Sequence, residues 1–292
     1  MIEIGVGTRT AWLLGHPVGH SVSPAMHNAA YQAMGLDLVY LAADVEPDGL
    51  KTAIAGLRRL GFAGANVTIP HKEKVAALVD ELRGPARLLG AVNTVWAEGA
   101  RLIGYNTDAE GWLAAWDEHV GLPLGNRKAI VLGAGGAARG LLWALSRRDV
   151  RDVLVMNRSH PRACELIDEL GPLLGLEARA AVLDNDLFAN ELRPGCVVIN
   201  TTPLGMAPHP ERSPVEWPRV LPDGVVACDL IYNPVSPRFL ASPRRHGAPV
   251  MGGLGMLVYQ AARAIELWTG RKPPRGLMRS AALKSLRNRY RP

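Results

Sequence analysis

The sequence predicts an α/β protein of two domains, each with a sheet flanked by helices. Apolar strand-like segments alternate with helix-like segments twice, in a first run before Arg127 and a second run after it. A length of 292 residues favours two domains over one. After Gly255 the chain reads as helix only, in LGMLVYQAARAIELWTG and LMRSAALKSLRNR, which predicts closing helices rather than a third sheet.

The first run reads strand, helix, strand, helix, strand. The predicted strands are TAWLLG, VYLAADV and the apolar start of GANVTIPHKEKV. The first helix, SPAMHNAAYQAMG, has Ser23 as its N-cap and Gly35 at its end. The second, EPDGLKTAIAGLRRLG, opens at Pro47 and closes at Gly61. Such alternation needs crossover connections and therefore predicts a mainly parallel sheet.

A hairpin then interrupts the alternation before the second run begins. AVNTVWAEGARLIGYNTD predicts two antiparallel strands that turn at Glu98 and Gly99. The second run contains KAIVLGAGGAARGLLWAL, DVLVMNRSHPRACELIDEL, ARAAVL, CVVINTT and GVVACDLIY. Strands separated by helices or long connections in this way are typical of a doubly wound nucleotide-binding domain.

The composition limits the classes of function. The net charge of +6 is modest and comes mainly from arginine, which indicates an anionic ligand or plain solubility and gives no indication of nucleic acid as a partner. Only the segment from residue 271 to residue 291 is basic without acids. We interpret that segment as an exposed final helix with a frayed end.

Cysteine usage and hydropathy point to a reduced environment without a membrane. Cys164, Cys196 and Cys228 are widely spaced and form no CxxC or Cys/His cluster, so we expect neither a disulfide framework nor a bound metal. The segment MIEIGVGTRT lacks the pattern of a signal peptide, and no apolar window reaches the length of a membrane span. We therefore expect a cytoplasmic protein, as a monomer or a homodimer.

A glycine-rich loop predicts a dinucleotide site. GAGGAA, residues 133 to 138, follows the strand KAIVL and opens a helix. Gly133, Gly135 and Ala138 fit G-x-G-x-x-A, in which the glycines let the backbone turn tightly and approach a pyrophosphate at the helix amino terminus. The alternative is a glycine turn that binds nothing, but such a turn rarely has both a buried strand before it and a helix after it.

The end of the following strand favours NADP over NAD. An NAD site places Asp or Glu about twenty residues after the glycines, to bind the ribose 2′-hydroxyl. Here the acid is replaced by Asn157, and Arg158, Ser159 and Arg162 offer two cations and a hydroxyl that suit a 2′-phosphate. The alternative is that Ser159 only caps the next helix and the arginines are only solvated.

Several polar side chains lie where open α/β sheets bind ligands. Ser21 and Ser23 follow the first strand, and Asn66 and Thr68, two residues apart, share one side of the third. Asp108 stands at a helix start. Taken singly, each has a structural explanation as a cap, a β-forming residue or an acid at the positive end of a helix.

Lys72 is harder to explain by structure alone. It lies in the first turn of a predicted helix, where the macrodipole disfavours cations, although a solvated lysine there would cost little. Asp108, by contrast, could simply follow a capping box formed by Thr107 and Glu110.

Taken together, the motifs resemble those of a known family. HSVSPAMHN, GANVTIPHKEKV, GAVNTV, GYNTD, GAGGAAR, NRS, NTTPLGM, DLIYNP and GLGMLVYQA occur in this order from about Gly15 to the last helix. In order and spacing they closely resemble the shikimate dehydrogenases, NADP-dependent enzymes of the shikimate pathway to chorismate and the aromatic amino acids. The resemblance is specific, because the motifs come from both halves of the chain and contain many polar residues that packing alone would not select.

The resemblance implies a fold and a set of site residues. The implied domains are a substrate-binding domain over 1–107, a Rossmann-type NADP domain over 108–252, and helices over 253–292 that pack back on the first domain. Lys72 would be the acid/base, with Asp108 beside it. The remaining substrate contacts would be Ser21, Ser23, Asn66, Thr68, Asn93, Tyr232 and Gln260. The NADP contacts would be Gly133, Ala134, Gly135, Gly136, Ala137, Asn157, Arg158, Ser159, Arg162, Leu230 and Gly253.

The chemistry of ketone reduction agrees with these roles. A hydride donor must act at the carbon and a proton donor at the oxygen, and an ammonium group can do the second without metal. The helix end and loss of water favour the neutral amine of Lys72, whereas Asp108 favours its ammonium form, so we expect a lysine that works in both directions.

Two other interpretations stay open. Quinate dehydrogenases share nearly all of these motifs, so a quinate/shikimate enzyme that tolerates NAD is one alternative; the paired serines and the arginines favour shikimate and NADP. A non-catalytic dinucleotide-binding regulator is the other, and the presence of both Lys72 and Asp108 speaks against it.

Overall fold

The computed structural model describes residues 4 to 289, which form two compact units. Unit 1 comprises the described chain up to Gly111 together with the residues from Val258 onward, and unit 2 comprises Trp112–Leu257. Each unit contains a six-stranded sheet accompanied by helices. The predicted two-domain α/β fold class is confirmed.

The sheet of unit 1 is mixed. Its strands are β1 (Arg9–Gly15), β2 (Leu38–Asp44), β3 (Gly64–Val67), β4 (Glu81–Leu82), β5 (Thr94–Glu98) and β6 (Arg101–Tyr105), in the spatial order β2-β1-β3-β5-β6-β4. β1 is parallel to β2 and β3, and β4 is parallel to β6, whereas β5 is antiparallel to both of its neighbours. The hairpin β5–β6 is the predicted one, with Gly99 at a φ of +60° in its turn.

Two helices of unit 1 have starts that differ from the predicted ones. They are α1 (Ser23–Ala33), α2 (Leu50–Leu60), α3 (Lys72–Ala76), α4 (Ala86–Leu89) and α11 (Arg275–Arg289), and α5 (Asp108–His119) and α10 (Gly253–Thr269) each have one end in it. Ser23 is not the N-cap of α1, because the cap position is Val22. Pro47 does not open α2, which begins three residues after it at Leu50 with Gly49 as its cap.

Unit 2 has a fully parallel sheet. Its strands are β7 (Ala129–Leu132), β8 (Asp152–Asn157), β9 (Glu177–Val182), β10 (Val197–Asn200), β11 (Val226–Asp229) and β12 (Val250–Met251), in the order β12-β11-β10-β7-β8-β9. The first strand of this sheet, β7, is therefore central, and strands are added on one side of it up to β9 and on the other side from β10 onward, which is the order typical of doubly wound dinucleotide-binding domains.

Helices cover this parallel sheet and bury its central strands. They include α6 (Gly136–Ser146), α7 (His160–Leu174), α8 (Asn185–Glu191) and α9 (Ala241–Arg245), with a 3₁₀ turn at Arg238–Leu240. Every residue of β7, β10 and β11 is buried, as expected for parallel strands packed on both faces. The predicted final helix is α11, and the last two residues of the predicted basic segment, 290 and 291, lie outside the described part.

Candidate active site

A buried lysine–aspartate pair is the centre of the candidate site. Lys72 Nζ donates to Asp108 Oδ2 at 2.6 Å, and the side chains are only 15% and 8% exposed. Lys72 is the first residue of α3, and its carbonyl accepts from the backbone N–H of Val92 at 2.8 Å, which fixes α3 against the segment before β5. The structure therefore brings together two residues that are 36 positions apart in the chain.

Asn93 holds the second oxygen of that carboxylate. Asn93 Nδ2 donates to Asp108 Oδ1 at 2.9 Å and to Thr107 Oγ1 at 3.0 Å, while Asn93 Oδ1 accepts from Thr107 N at 2.8 Å. Asp108 N donates in turn to Asn106 Oδ1 at 3.0 Å. Both carboxylate oxygens of Asp108 thus accept hydrogen bonds, as an ionised carboxylate at a helix start should.

Two further predicted residues adjoin this group. Gln260 Oε1, on α10, lies 3.3 Å from Thr107 Oγ1 and 3.4 Å from Asn93 Nδ2. Asn66, on β3, donates through Nδ2 to the carbonyl of Asn93 at 3.2 Å. Gln260 is 9% exposed and Asn66 is 5% exposed, so both amides lie largely beneath the surface.

The predicted capping box at the start of α5 does not form, because its two side chains bond elsewhere. The hydroxyl of Thr107 faces Asn93 and Gln260, and the carboxylate of Glu110 accepts from Tyr105 Oη at 2.7 Å and from Arg263 Nε at 3.0 Å.

The remaining predicted polar residues of unit 1 follow the carboxyl ends of β1 and β3. Ser21 Oγ accepts from Ser23 N, the first backbone N–H of α1, at 3.2 Å. Thr68 comes directly after β3, which ends at Val67. A Cβ on Gly15 would lie 2.3 Å from the methyl carbon of Thr68, so only glycine allows Thr68 this position.

The glycine-rich loop has the predicted strand–turn–helix context. It joins β7 to α6, with Gly133 at a φ of +109° and Gly135 as the N-cap. A Cβ on Gly133 would lie 2.6 Å from Thr201 Oγ1, whereas a Cβ on Gly135 would meet no atom within 4 Å. The backbone at Gly135 is therefore open to a ligand at the amino terminus of α6. Ala134 lies between the two glycines of this loop, and Gly136 and Ala137 are the first two residues of α6.

The predicted 2′-phosphate residues follow β8, next to the strand that carries the glycines. Asn157 ends β8 and donates through Nδ2 to the carbonyl of Ser159 at 2.9 Å. Ser159 is the N-cap of α7, yet its hydroxyl makes no capping hydrogen bond. Arg158 and Arg162 are exposed, so this turn offers two guanidinium groups and a hydroxyl to solvent.

Leu230 and Gly253 lie against each other in unit 2. Gly253 N donates to the carbonyl of Ile231 at 3.0 Å, and a Cβ on Gly253 would lie 2.1 Å from the carbonyl oxygen of Leu230. This close approach requires glycine. Tyr232 is half-buried in the loop that follows β11.

Asp229 is a polar residue to which the sequence analysis gave no role. It ends β11, is 1% exposed, and accepts from Ile231 N at 2.9 Å and from Asn200 Nδ2 at 3.1 Å. Burial raises the pKa of Asp229 to about 7, and the two hydrogen bonds only partly offset that effect. Its motif, DLIYNP, was the signal that could have identified it.

The described residues lack two further features. Among residues 4 to 289, no group of three or more His, Cys, Asp or Glu side chains could hold a metal ion. No helix in that range is both long and apolar enough to cross a membrane.

Comparisons with known proteins identify the family. Residues 13–95 match the model of the shikimate dehydrogenase substrate binding domain, residues 117–185 that of shikimate / quinate 5-dehydrogenase, and residues 253–283 that of the shikimate 5′-dehydrogenase C-terminal domain. The NADP(+) shikimate dehydrogenase of Methanopyrus kandleri is 43% identical over 98% of this chain and 99% of its own.

Solved structures agree with these matches. Shikimate 5-dehydrogenase of Thermus thermophilus, in complex with NADP(H) and shikimate, superposes with a TM-score of 0.82 at 40% identity, covering 95% of this chain and 99% of its own. Quinate dehydrogenase of Corynebacterium glutamicum, in complex with NAD, gives 0.80 at 30% identity and the same coverage. On these matches, the chain belongs to the shikimate dehydrogenase family.

Proposed function

We propose that this protein is an NADP-dependent shikimate dehydrogenase that reversibly reduces the C3 ketone of 3-dehydroshikimate to the alcohol of shikimate. The observation that supports this most directly is the buried Lys72–Asp108 pair, held at 2.6 Å. Family membership and the NADP-dependent relatives agree with it.

Lys72 moves the proton in the proposed mechanism. Its ammonium donates a proton to the ketone oxygen as negative charge develops there, and the neutral amine takes the proton back when the alcohol is oxidised. Asp108 accepts a hydrogen bond from Lys72 and stabilises the ammonium form, while Asn93 keeps the carboxylate oriented. NADPH, when bound, supplies the hydride.

The predicted polar side chains would hold the acid substrate. We propose that Ser21 and Ser23, after β1, bind its carboxylate or ring hydroxyls, and that Thr68, Asn93 and Gln260 bind on the side of Lys72. Asn66 and Tyr232 complete the proposed set. An amide or a hydroxyl can donate to a carboxylate and accept from a hydroxyl, which suits a polyhydroxylated acid.

The residues of unit 2 fit a dinucleotide with a 2′-phosphate. The open backbone at Gly135 and the amino terminus of α6 suit a pyrophosphate, and Arg158, Ser159 and Arg162 suit the phosphate on the ribose. Leu230 and Gly253 would border the nicotinamide.

The predicted domain ranges remain part of this proposal. We assign substrate binding to residues 1–107, NADP binding to 108–252, and the closing helices to 253–292. We further propose a cytoplasmic protein, active as a monomer or a homodimer, with no nucleic-acid or membrane partner.

Absorbance of the reduced nicotinamide tests the function directly, with shikimate and quinate each assayed against NADP and NAD. We expect fast reduction of NADP by shikimate alone. In Lys72→Gln this rate should fall at least about a hundredfold, since general acid–base catalysis contributes that much. Lys74→Gln, an exposed lysine of the same helix, should keep the wild-type rate.

Other results of this assay favour the alternatives. Comparable rates with quinate and NAD would favour a quinate/shikimate enzyme. No rate in any combination would favour the non-catalytic dinucleotide-binding regulator and refute the proposed function.

A further inference from the structure

A series of buried hydrogen bonds, called here the hydrogen-bond chain, links Tyr40 to the proposed substrate contacts. Its first donor is Tyr40 Oη, which lies 2.9 Å from Asn66 Oδ1. Asn66 Nδ2 lies 3.3 Å from Thr94 Oγ1, and Thr94 Oγ1 lies 2.9 Å from Asn93 Oδ1. Tyr40 is 1% exposed and Thr94 is fully buried, so both are shielded from solvent.

The charge of Asp108 determines which atom donates in each bond of the hydrogen-bond chain. A carboxylate only accepts, so Asn93 must present its Nδ2 to Asp108 and its Oδ1 to Thr94. Thr94 must then donate its single hydroxyl proton to Asn93 Oδ1, which leaves its oxygen to accept from Asn66. Asn66 is thereby left with its oxygen towards Tyr40, whose hydroxyl donates to it.

The same assignment of donors and acceptors orients the side-chain amide of Gln260. The two Nδ2 protons of Asn93 go to its nearest acceptors, Asp108 Oδ1 and Thr107 Oγ1. Asn93 Oδ1 already accepts from Thr107 N and from the Thr94 hydroxyl. The hydroxyl proton of Thr107 then has two remaining acceptors, Gln260 Oε1 at 3.3 Å and Thr94 Oγ1 at 3.2 Å, and Gln260 Oε1 also lies 3.4 Å from Asn93 Nδ2. With Oε1 facing the network, the Nε2 donor of Gln260 points away from Thr107.

The Tyr40 end of the hydrogen-bond chain is held rigidly. The side-chain amide of Asn28 bonds both backbone groups of Tyr40, with Nδ2 donating to its carbonyl at 2.9 Å and Oδ1 accepting from its N–H at 2.7 Å. The Tyr40 ring stacks on His27, with ring centroids 3.9 Å apart. The position of the Tyr40 hydroxyl is therefore set by packing that lies outside the proposed substrate contacts.

We propose that Tyr40 and Thr94 are positioning residues for the reaction. Through the hydrogen-bond chain they fix which end of each amide, on Asn66, Asn93 and Gln260, faces the substrate. This inference rests on the proposed function, since it assumes that these amides bind the substrate acid. Neither Tyr40 nor Thr94 needs to touch the substrate for this role.

Steady-state kinetics of four variants tests the proposal. Tyr40→Phe removes only the hydroxyl and should lower kcat/KM for shikimate about fivefold, the effect of one net hydrogen bond. Thr94→Val removes one hydrogen bond from Asn93 Oδ1 and one from Asn66 Nδ2, and should lower kcat/KM about fiftyfold. Thr94→Ser restores the hydroxyl and should recover most of the activity. In all of these variants the KM for NADP should stay within about twofold of wild type.

Tyr31→Phe is the matched control. Tyr31 is fully buried in the same aromatic cluster, but its hydroxyl lies 3.4 Å from His27 Nδ1 and not on the chain. It should lose stability to an extent similar to Tyr40→Phe and keep wild-type kinetics. Equal kinetics for Tyr31→Phe and Tyr40→Phe would overturn the proposal, as would a Thr94→Ser variant as impaired as Thr94→Val.

A second measurement separates this proposal from the proposed function. Side-chain amide signals of Asn66, Asn93 and Gln260 in a ¹⁵N–¹H correlation spectrum report the hydrogen bonds whether or not the wild type turns over shikimate. We expect Thr94→Val to shift all three and Tyr31→Phe to shift none. If the wild type is active and its three amide signals do not respond to Thr94→Val, the proposed hydrogen-bond chain alone is refuted. If the wild type is inactive and the signals do respond, only the proposed function is refuted.

Discussion

Replacing Asp108 by Asn should reduce activity strongly while leaving the fold intact. Two donors converge on this carboxylate, Lys72 Nζ at 2.6 Å and Asn93 Nδ2 at 2.9 Å. An asparagine has one acceptor oxygen, so its own amide must face one of these donors. The substitution therefore removes a charge-assisted hydrogen bond and leaves a buried donor opposed by another donor.

The structure gives the magnitude of this effect. A hydrogen bond to a charged group contributes about 1.5–3 kcal/mol, and an unsatisfied buried donor costs about 1–3 kcal/mol. Both side chains are less than one-fifth exposed, so solvent screening reduces these values little. A loss of about 3 kcal/mol in transition-state stabilisation lowers kcat/KM roughly 150-fold.

The assay is steady-state kinetics in both directions, with the thermal midpoint of unfolding as a check on folding. Asp117→Asn is the control, because Asp117 is a half-exposed acid of the same helix, paired with Arg148 at 2.6 Å. An exposed pair contributes at most about 1 kcal/mol to stability, and Asp117 has no part in the proposed site. An Asp108→Asn enzyme that keeps a third or more of wild-type kcat/KM would refute the reasoning.

Two further predictions concern unit 2. Replacing Arg158 and Arg162 together by Gln should raise the KM for NADP by tenfold or more and leave the KM for NAD nearly unchanged, because in the proposed site these guanidinium groups would contact only the 2′-phosphate; equal changes for both cofactors would contradict this assignment. Asp229 should make wild-type stability fall as pH rises from about 4 to 7: its folded-state pKa of about 7 exceeds the unfolded value of 3.8, so the folded protein binds the extra proton in that window. Urea unfolding across that range should show that this group lowers the free energy of unfolding by at most about 1.4 kcal/mol per pH unit. Asp229→Asn should make the free energy of unfolding less dependent on pH. A pH dependence that is the same in both proteins would refute the role of Asp229.

Local patterns in the sequence predicted most of the regular structure. The period of apolar residues indicated the strands and most of the helices, and the glycine motif predicted the turn between β7 and α6 with its strand and helix context. Short elements were missed, including β4 with two residues and α4 with four. Segments of that length contain too few side chains for a period to be visible.

The capping box expected at the start of α5 fails for a physical reason. Capping rules assume that a hydroxyl near a helix start bonds to the local backbone. Thr107 instead turns its hydroxyl to Gln260, which is 153 residues away in the chain, and Glu110 bonds to Arg263 at the same separation. Tertiary partners of this kind decide the outcome, and sequence spacing does not reveal them. The grouping of the candidate site residues was accordingly predicted from family resemblance and not from local pattern.

The unfavourable position of Lys72 at the start of α3 is compensated by the favourable position of Asp108 at the start of α5. α3 has only five residues, so the cost of a cation at its first position is small, and Lys74 in the same turn is exposed. Asp108 occupies the first position of the twelve-residue helix α5, where a carboxylate is favoured, and it accepts from Lys72. The favourable placement of the acid thus offsets the unfavourable placement of the lysine. Lys72 is thereby held 2.6 Å from a carboxylate that is 8% exposed, which suits the proposed transfer of a proton to a ketone oxygen.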